Sequence, residues 1–364
     1  MGTGLPTIGE VARQAGVSPQ TVSNVLNNPH RVSPSTRDRV QAVVDQLNYR
    51  PNSAARQLRT RASSTIGVRI DPASTDGVSG AALDRFLHEL TQRAEDRGLR
   101  VLLFTAVSPE DEIAQYTKLR DTADVDAIVV TSTFFGDPRP GWLQAQGLPF
   151  VAFGRPWGTD PEDPLMRWVD VDGREGVRQA TEHLYGRGLR TIGYLGWPSG
   201  SGTGDDRRLG WLEACADLGI EPSIDLVAEE RVPNARAAVQ ELLAQGSPVE
   251  AIVCVSDTLA LGAMMAVREA GLPHFPVIGF DNTPVARAVG LSSVDQSLGA
   301  VAQAVLDLLL GDGSRIRPAS PETEPHHRLV SPHLVVRRSS HLAVVDNTQN
   351  GDRRIDDTHE RYTP

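Results

Sequence analysis

Apolar residues near the start of the chain recur with a helical period. The spacing i, i+3, i+4, i+7 predicts an amphipathic helix, and the residues that carry it are Ile8, Val11, Ala12 and Ala15. Gly16 can adopt the left-handed conformation that ends a helix. The pattern therefore predicts a short first helix followed at once by a turn.

A second helix is predicted directly after this turn. Ser18 is a favourable N-cap, Pro19 occupies the first helical position, and Val17 and Val22 have the spacing of a hydrophobic staple. The expected inward face is Val22, Val25 and Leu26. Three short hydrogen-bonding side chains then point outward and match the edges of DNA bases, namely Gln20, Thr21 and Asn24.

A third helix is needed because two short helices cannot bury a core alone. Ser33 and Pro34 repeat the cap-then-proline signal. The apolar positions that follow are Val40, Val43, Val44 and Leu47. Three helices in about forty residues predict a helix-turn-helix headpiece. The alternative is an ordinary helical subdomain with a polar surface.

Charge separates the first part of the chain from the rest. Residues 1–62 contain eight arginines and three acidic residues, a net charge of +5, whereas the whole chain carries −10 and the remainder therefore −15. A basic head on an acidic body is expected if only the head contacts phosphates. This asymmetry favours the DNA-binding interpretation.

The segment PNSAARQLRTRASS after the third helix forms the predicted linker. Asn52 can cap a short helix that contains Ala55 and Leu58, and this helix is too short to be stable alone in water. Leu58 is an apolar residue among arginines, which is typical of side chains that open a base step from the minor groove. The alternative is that Leu58 packs against the body as an anchor.

From residue 64 onward, apolar runs alternate with helical patterns. This alternation predicts right-handed crossovers and parallel sheets covered on both faces, in two doubly wound lobes. The expected division is a headpiece at 1–50, a hinge helix or linker at 51–62, a two-lobed domain at 63–340, and a polar, disordered tail at 341–364. Lobe 1 is assigned to about 63–160 and 292–320, and lobe 2 to about 161–291 and 321–340.

Residues that end the predicted strands are the candidates for a ligand cleft. They are Asp71, Thr131, Ser132, Arg155, Trp197, Ser256, Asp257 and Asp281. Carboxylates, an arginine, hydroxyls and an indole together match a neutral polyol. Asp257 can be either an N-cap or a ligand contact. Trp157, Trp168 and Trp197 can each be either a stacking platform or ordinary packing.

The sequence argues against several other functions. Lys118 is the only lysine, which excludes a Walker-type loop, and the glycine-rich segment at 200–206 lacks the GxGxxG register. No Ser-His-Asp elbow or HExxH motif occurs, and the two cysteines have no metal-binding spacing. We expect no cofactor, no metal and no enzymatic activity. Without a long apolar run or a signal-like N-terminus, we expect a cytoplasmic protein with no membrane partner.

The headpiece resembles that of the LacI (lactose repressor) family of transcriptional regulators. The resemblance covers residues 7–60, through TIGEVARQAGVSPQTVSNVLN, VSPSTRDRV and LNYRPNSAARQL. It implies that Pro19, Gln20 and Asn24 face the major groove and that Ala55 and Leu58 form a minor-groove hinge. The remaining residues of the predicted DNA-binding set, several of them expected at phosphates or helix caps, are Thr7, Ser18, Thr21, Ser23, Asn27, Arg31 and Asn52.

The body resembles the periplasmic-binding-protein-like domain of the same family. DDRRLGW and GFDN imply effector-binding roles for Arg207 and Asp281, while Ser256 stands where many relatives have asparagine and Gly154 where they often have aspartate. The tail lacks a leucine heptad, so we expect a homodimer on double-stranded operator DNA. A mono- or oligosaccharide effector and a repressor of carbohydrate genes are the expected function. Alternatives are a nucleoside-like or purine-like effector, a cytoplasmic solute-binding receptor, or a doubly wound enzyme.

Overall fold

The computed structural model divides the chain into two compact units, Met1–Ser63 and Ser64–Pro364. It describes residues 6–27, 29–49, 63–70, 80–311, 313, 315–317, 319–320 and 326–341. The predicted hinge residues Asn52, Ala55 and Leu58, the predicted cleft residue Asp71 and almost all of the tail lie outside the described residues.

The first unit contains the three predicted helices. They are α1 (Ile8–Ala15), α2 (Pro19–Asn27) and α3 (Pro34–Gln46), with a 3-10 turn at Pro29–Arg31. Gly16 ends α1 at φ 65°, as predicted. The Ser18 hydroxyl accepts a hydrogen bond from the Thr21 backbone N–H at 3.1 Å and so caps α2. Ser33 occupies the N-cap position of α3, but its side chain caps no backbone N–H.

Valines form most of the headpiece core. Val11, Val22 and Val40, one from each helix, are completely buried. Tyr49, which follows α3, is also buried and closes the cluster. Because α2 buries one face against α1 and α3, its other face is available for contacts outside the unit.

The second unit alternates strands and helices in the predicted manner. Its strands are β1 (Thr65–Ile70), β2 (Arg100–Thr105), β3 (Ala127–Thr131), β4 (Phe150–Phe153), β5 (Trp168–Val171), β6 (Ile192–Gly196), β7 (Asp225–Val227), β8 (Ala251–Cys254), β9 (Val277–Phe280), β10 (Ser292–Asp295), β11 (His327–Val330) and β12 (His333–Val335). Its helices are α4 (Ala81–Asp96), α5 (Pro109–Asp121), α6 (Pro138–Ala145), α7 (Gly173–Gly186), α8 (Thr203–Leu218), α9 (Val232–Ala244), α10 (Asp257–Glu269), α11 (Pro284–Val289) and α12 (Leu298–Leu310).

The strands form two six-stranded sheets, one in each lobe. Lobe 1 has the order β11-β5-β4-β3-β1-β2, and lobe 2 has the order β12-β10-β9-β8-β6-β7. All pairings are parallel except that of β10 with β12. Alternate residues of β3 enter different cores: Val129 packs with α4 and α12, and Val130 with α5 and α6. The two-lobed doubly wound prediction is therefore confirmed.

The points at which the chain crosses between lobes differ from the expected ones. Strand β5 lies in the lobe 1 sheet although residues after 160 were assigned to lobe 2, and β10 lies in lobe 2 although residues from 292 were assigned to lobe 1. Strand β11 returns to lobe 1, and β12 ends in lobe 2. Strand membership depends on long-range hydrogen bonding, which local patterns do not contain.

Several elements were absent from the prediction or were predicted too short. Strands β5 and β7 and helix α6 are short and lack a clear period. For α8, the sequence pattern predicts a helix only from Leu209 to Leu218, whereas the helix begins at Thr203. Glycines at 202 and 204 hid the first turn of α8, because glycine is a poor helix former. Within the described ranges, no helix is both long and apolar enough to cross a membrane.

Candidate functional site

Helix α2 has a polar face whose side chains can form hydrogen bonds. Pro19 and Gln20 are exposed, and Asn24 is half-buried one turn later. The Gln20 amide donates to the Asn24 side-chain oxygen at 3.2 Å. The pair therefore holds amide donors and acceptors side by side on α2, and amide groups of this kind can hydrogen-bond base edges.

Several of the remaining predicted headpiece residues cap helices. Thr7 forms a reciprocal capping box with Glu10, and Ser18 and Thr21 bond to each other through their hydroxyls at 2.9 Å. Arg31 is exposed on the 3-10 turn and Ser23 is half-buried. The side chain of Asn27 lies outside the described set. Caps of this kind fix the backbone N–H groups at helix starts, where phosphates can also bind.

In lobe 1, the predicted site begins at the end of β3. Thr131 is 2% exposed and Thr133 is 8% exposed, and neither hydroxyl has a hydrogen-bond partner among the described residues. The loop is held from below by buried Arg139, whose Nη2 donates to the Ser132 carbonyl at 3.0 Å. A Cβ on Gly154 would lie 2.3 Å from the Thr133 Oγ1, so an aspartate there would displace Thr133.

Arg155, at the end of β4, is already occupied by acidic partners. Its guanidinium donates through Nε to Asp170 at 2.9 Å and through Nη2 to Asp206 of helix α8. It also lies 4.7 Å from the centre of the Trp157 ring. Because Asp206 belongs to lobe 2, Arg155 links the two lobes, and this link was not predicted from the sequence.

In lobe 2, buried Arg207 and half-buried Asp281 form the centre of the candidate site. Their closest charged atoms are 3.7 Å apart, and Arg207 also donates to the Val255 carbonyl at 2.7 Å. The guanidinium stacks on Phe280 at 3.6 Å, while its Nε has no partner among the described residues. Gln296 donates to the Asp281 carboxylate. The neighbouring Arg208 pairs instead with Asp225 near the surface.

Burial raises the pKa of the carboxyl groups in this centre. The pKa of Asp281 is raised to about 8, chiefly by burial and further by the charges of Asp257 and Glu230, against the opposing effect of Arg207. The pKa of Asp257 is raised to about 6 by burial, although hydrogen bonds from Ser293 and Thr283 lower it. A hydroxyl-rich ligand would favour the ionised forms by donating to them.

Ser256 and Asp257 have different roles from those expected. The hydroxyl of Ser256 accepts from the Leu259 N–H at 3.2 Å and is the N-cap of α10. Asp257 accepts from the Thr283 N–H at 2.7 Å and the Ser293 hydroxyl at 2.6 Å. Asp257 is completely buried. Its carboxylate therefore joins three segments of lobe 2 and is not the helix cap.

The three candidate tryptophans divide into one packing residue and two that remain candidates for the site. Trp168 is 5% exposed, donates to the Pro161 carbonyl at 2.9 Å and stacks on His327, so it serves as packing. Trp157 and Trp197 are half-buried and lie against the glycines of the 200–204 turn. A Cβ at Gly202 would lie 2.5 Å from the Trp157 ring. The glycines of this turn thus make room for aromatic rings.

The same turn does not form a phosphate cradle. The Asp205 carboxylate accepts from the N–H groups of Gly200 at 2.8 Å and Gly202 at 3.3 Å. A carboxylate therefore occupies the donors that a pyrophosphate would need.

Glu230 is a site residue that the sequence analysis did not identify. It accepts hydrogen bonds from the Trp197 indole N–H and from the Ser256 hydroxyl, the latter at 2.8 Å. It follows β7, a three-residue strand without a recognisable pattern. Had β7 been recognised, the acidic pair Glu229-Glu230 at its carboxyl end would have indicated a cleft position.

The predicted cleft residues therefore form two sets joined at Arg155. Thr131 and Arg155 lie on lobe 1, and lobe 2 contributes Trp197, Arg207, Ser256 and Asp281. The ion pair between Arg155 and Asp206 connects the first set to the helix that carries Arg207.

Comparison with known proteins gives matches to both parts of the chain. Residues 7–52 match the family described as bacterial regulatory proteins, lacI family, and residues 181–340 match a periplasmic binding protein-like domain. The HTH-type transcriptional regulator CelR of Thermobifida fusca is 31% identical over 343 residues, which are 92% of this chain and 98% of that protein.

Solved structures agree with these matches. A regulatory protein of the LacI family from Chloroflexus aggregans has 34% sequence identity and a TM-score of 0.67, over 76% of this chain and 98% of that one. A complex of the regulator CelR with cellobiose has 28% identity and a TM-score of 0.65, over 92% and 99% of the two chains. The headpiece, the two lobes and these relatives together establish that the chain belongs to the LacI family of bacterial transcriptional regulators.

Proposed function

We propose that this chain is a repressor of carbohydrate genes that binds operator DNA as a homodimer and responds to a saccharide. Each subunit would place α2 in the major groove of one half-site, and the hinge segments around Leu58 would meet at the central minor groove. A saccharide in the cleft would change the closure of the lobes and so the affinity for DNA. Such coupling requires that the effector bind free and DNA-bound protein differently.

The DNA-binding part of the proposal is supported by the surface of α2. Exposed Gln20 and its partner Asn24 offer amide groups that can pair bidentately with adenine. The net charge of +5 on residues 1–62 supplies attraction to phosphates, whereas the acidic remainder is repelled by them.

The saccharide part is supported chiefly by buried polar atoms that have no partner in the part of the chain that the structure describes. They belong to Thr131, Thr133, Trp157 and Arg207, and all lie at the carboxyl ends of strands or beside them. A buried polar atom without a hydrogen bond is costly, by about 1–3 kcal/mol. Ligand hydroxyls would satisfy these atoms, and the CelR complex with cellobiose supports a saccharide as their source.

The rival functions predict different observations. A nucleoside-like or purine-like effector would stack on Trp157 or Trp197 without needing a series of hydroxyl contacts. A solute-binding receptor would not require the polar face of α2 for its function. We infer no enzymatic activity, because the relatives are regulators and the cleft carboxylates are held by neighbouring side chains.

The DNA test compares two glutamines of the headpiece. Gln20→Ala should weaken specific binding to the duplex upstream of the chain's own gene by about 1–3 kcal/mol, because it removes a base contact. Gln41→Ala, on the exposed surface of α3, is the control and should change little. Gel-shift titrations at several salt concentrations give both affinities. Equal affinities for specific and random duplexes would refute the proposal.

The effector test is a thermal-shift screen of the wild-type protein with mono- and disaccharides, nucleosides and purines. A saccharide should raise the melting temperature, since a ligand that binds only the folded state stabilises it by mass action. The same compound should then change operator affinity in the gel-shift assay. Stabilisation by a nucleoside alone would favour the purine-type alternative.

A further inference from the structure

Three strand ends of lobe 2 converge on one carboxylate oxygen. Glu230 follows β7, and its Oε2 accepts from Trp197, which follows β6, and from Ser256, which follows β8. These strands are neighbours in the order β8-β6-β7. The side chain is half-buried, and no described residue bonds to its second oxygen. Oε2 thus connects the residues that follow β6 and β8, while the second oxygen is available to a ligand.

The contact constrains the Trp197 ring. An indole bonded at its edge through Nε1 can no longer rotate freely, so the direction of its face is fixed. The Arg207 guanidinium lies 5.7 Å from the centre of the same ring. The arginine and the free oxygen of Glu230 therefore both lie next to the ring on which a sugar would stack.

Glu230 places negative charge beside Trp197. Besides burial, its charge also helps to raise the pKa of Asp281 to about 8, so Asp281 itself carries little charge near pH 7. Arg207 already faces Asp281. Arg85 and Arg337 both donate to the neighbouring Asn282. Arg155, on the opposite lobe, is paired with Asp170 and Asp206. An anionic ligand at Trp197 would be repelled by the half-buried Glu230 carboxylate, whereas a neutral polyol would not.

We infer that Glu230 determines effector specificity: it orients Trp197 for stacking and accepts ligand hydroxyls, so that neutral saccharides bind and phosphorylated or acidic ones are rejected. This inference rests on the proposed function, because it assigns a role within the same cleft. If Glu230 had a purely structural role, it would hold the loop but would not affect the choice between neutral and anionic sugars.

The main experiment measures selectivity in the full-length protein. Cellobiose, glucose and galactose are titrated by calorimetry beside glucose 6-phosphate and glucuronic acid. In Glu230→Gln, affinity for the neutral sugar that binds the wild type should fall roughly tenfold to hundredfold, the loss typical of a charged hydrogen bond. The ratio of neutral to anionic affinity should fall as well. Glu229→Gln removes the adjacent, exposed charge and should leave both quantities unchanged.

A second measurement tests the orientation of Trp197 without any ligand. The chain has five tryptophans, so the Trp197 contribution to emission is the difference between a protein and its Trp197→Phe counterpart. This difference should shift in Glu230→Ala, which loses the acceptor, and much less in Glu230→Gln, which retains one. Circular dichroism and the melting temperature show whether each variant is folded.

The outcomes distinguish a failure of the proposed saccharide function from a failure of the role assigned to Glu230. If the wild type binds none of the sugars, both the proposed saccharide function and this inference fail. If the wild type binds a neutral sugar but Glu230→Gln keeps its affinity and its selectivity within twofold, only the inference is overturned. An unchanged Trp197 emission in folded Glu230→Ala would overturn the positioning role.

Discussion

Side chains of the same type have different roles in this protein because their neighbours differ. Arg155 and Arg207 both follow or face strand ends, but Arg155 is held by two carboxylates whereas Arg207 keeps an unpartnered Nε beside Asp281. Two cleft tryptophans are similarly distinguished from Trp168 by what they contact. Chemical type alone therefore does not identify which residues can meet a ligand.

The raised pKa of Asp281 gives a prediction about stability and pH. Between the ordinary pKa near 4 and the folded value of about 8, the folded protein holds a proton that the unfolded chain releases. The free energy of unfolding should therefore decrease as the pH rises through this window. Asp257 adds a change of the same sign below about 6, so Asp281 contributes most of the change that these two groups cause between about pH 6.5 and about 8.5.

The measurement is the melting temperature of effector-free protein across that interval. Wild-type protein should lose more stability than Asp281→Asn, which has no carboxyl group to ionise. Asp217→Asn, which removes an exposed carboxylate of α8, should behave like the wild type. Parallel curves for wild type and Asp281→Asn would show that Asp281 is already ionised at the lower pH.

At the scale of secondary-structure elements, close packing of two helices can depend on a single glycine. Helices α9 and α10 pack as a pair, and a Cβ at Gly262 would lie 2.4 Å from the Val232 carbonyl oxygen and 2.6 Å from the Ala235 Cβ. Neither neighbour can move without moving α9. The short distance between these helices therefore requires glycine at this position.

Gly262→Ala should destabilise the protein by about 1–3 kcal/mol, the usual cost of overpacking a close contact. Gly141→Ala is the matched control, because Gly141 is an exposed helical glycine with no atom within 4 Å of an added Cβ. That change should stabilise α6 by about 0.5–1 kcal/mol. Urea denaturation gives both values. A stability gain in Gly262→Ala would contradict the packing argument.

At the scale of the whole molecule, function requires that a basic headpiece respond to an acidic body. The basic and the acidic parts of the chain belong to two separate compact units, and residues 51–62 lie between these parts in the sequence. If the joining segment transmits the response, DNA binding and effector binding must be separable by changing that segment. The predicted hinge residue Leu58 lies there, outside the described residues.

Leu58→Ala should weaken specific operator binding while leaving the effector affinity of DNA-free protein unchanged. The reason is that the apolar side chain would contact DNA and not the cleft. Gel-shift titration gives the first quantity and calorimetry the second, with Gln57→Ala as the neighbouring control. Wild-type operator affinity in Leu58→Ala would instead support its role as a linker anchor.

Local information in the sequence was sufficient for the headpiece, the alternation of strands and helices, and most strand ends. The stripe from Ile8 to Ala15, the cap at Ser18 and the apolar run of β1 act between neighbours along the chain, so each can be read without the fold. Asp281 was proposed as a cleft residue because it ends a predicted strand, whereas Arg207 was proposed through the resemblance of DDRRLGW to the LacI family.

Only the tertiary structure decided which lobe each late strand joins, how Arg155 is paired, and that Glu230 faces Trp197. Residues 197 and 230 are separated by more than thirty positions, and residues 155 and 206 by more than fifty. Their contacts arise from sheet order and lobe closure, which are long-range properties. A local pattern cannot specify them, because the same side chain can be solvated, paired or bound to a ligand depending on what the fold places beside it.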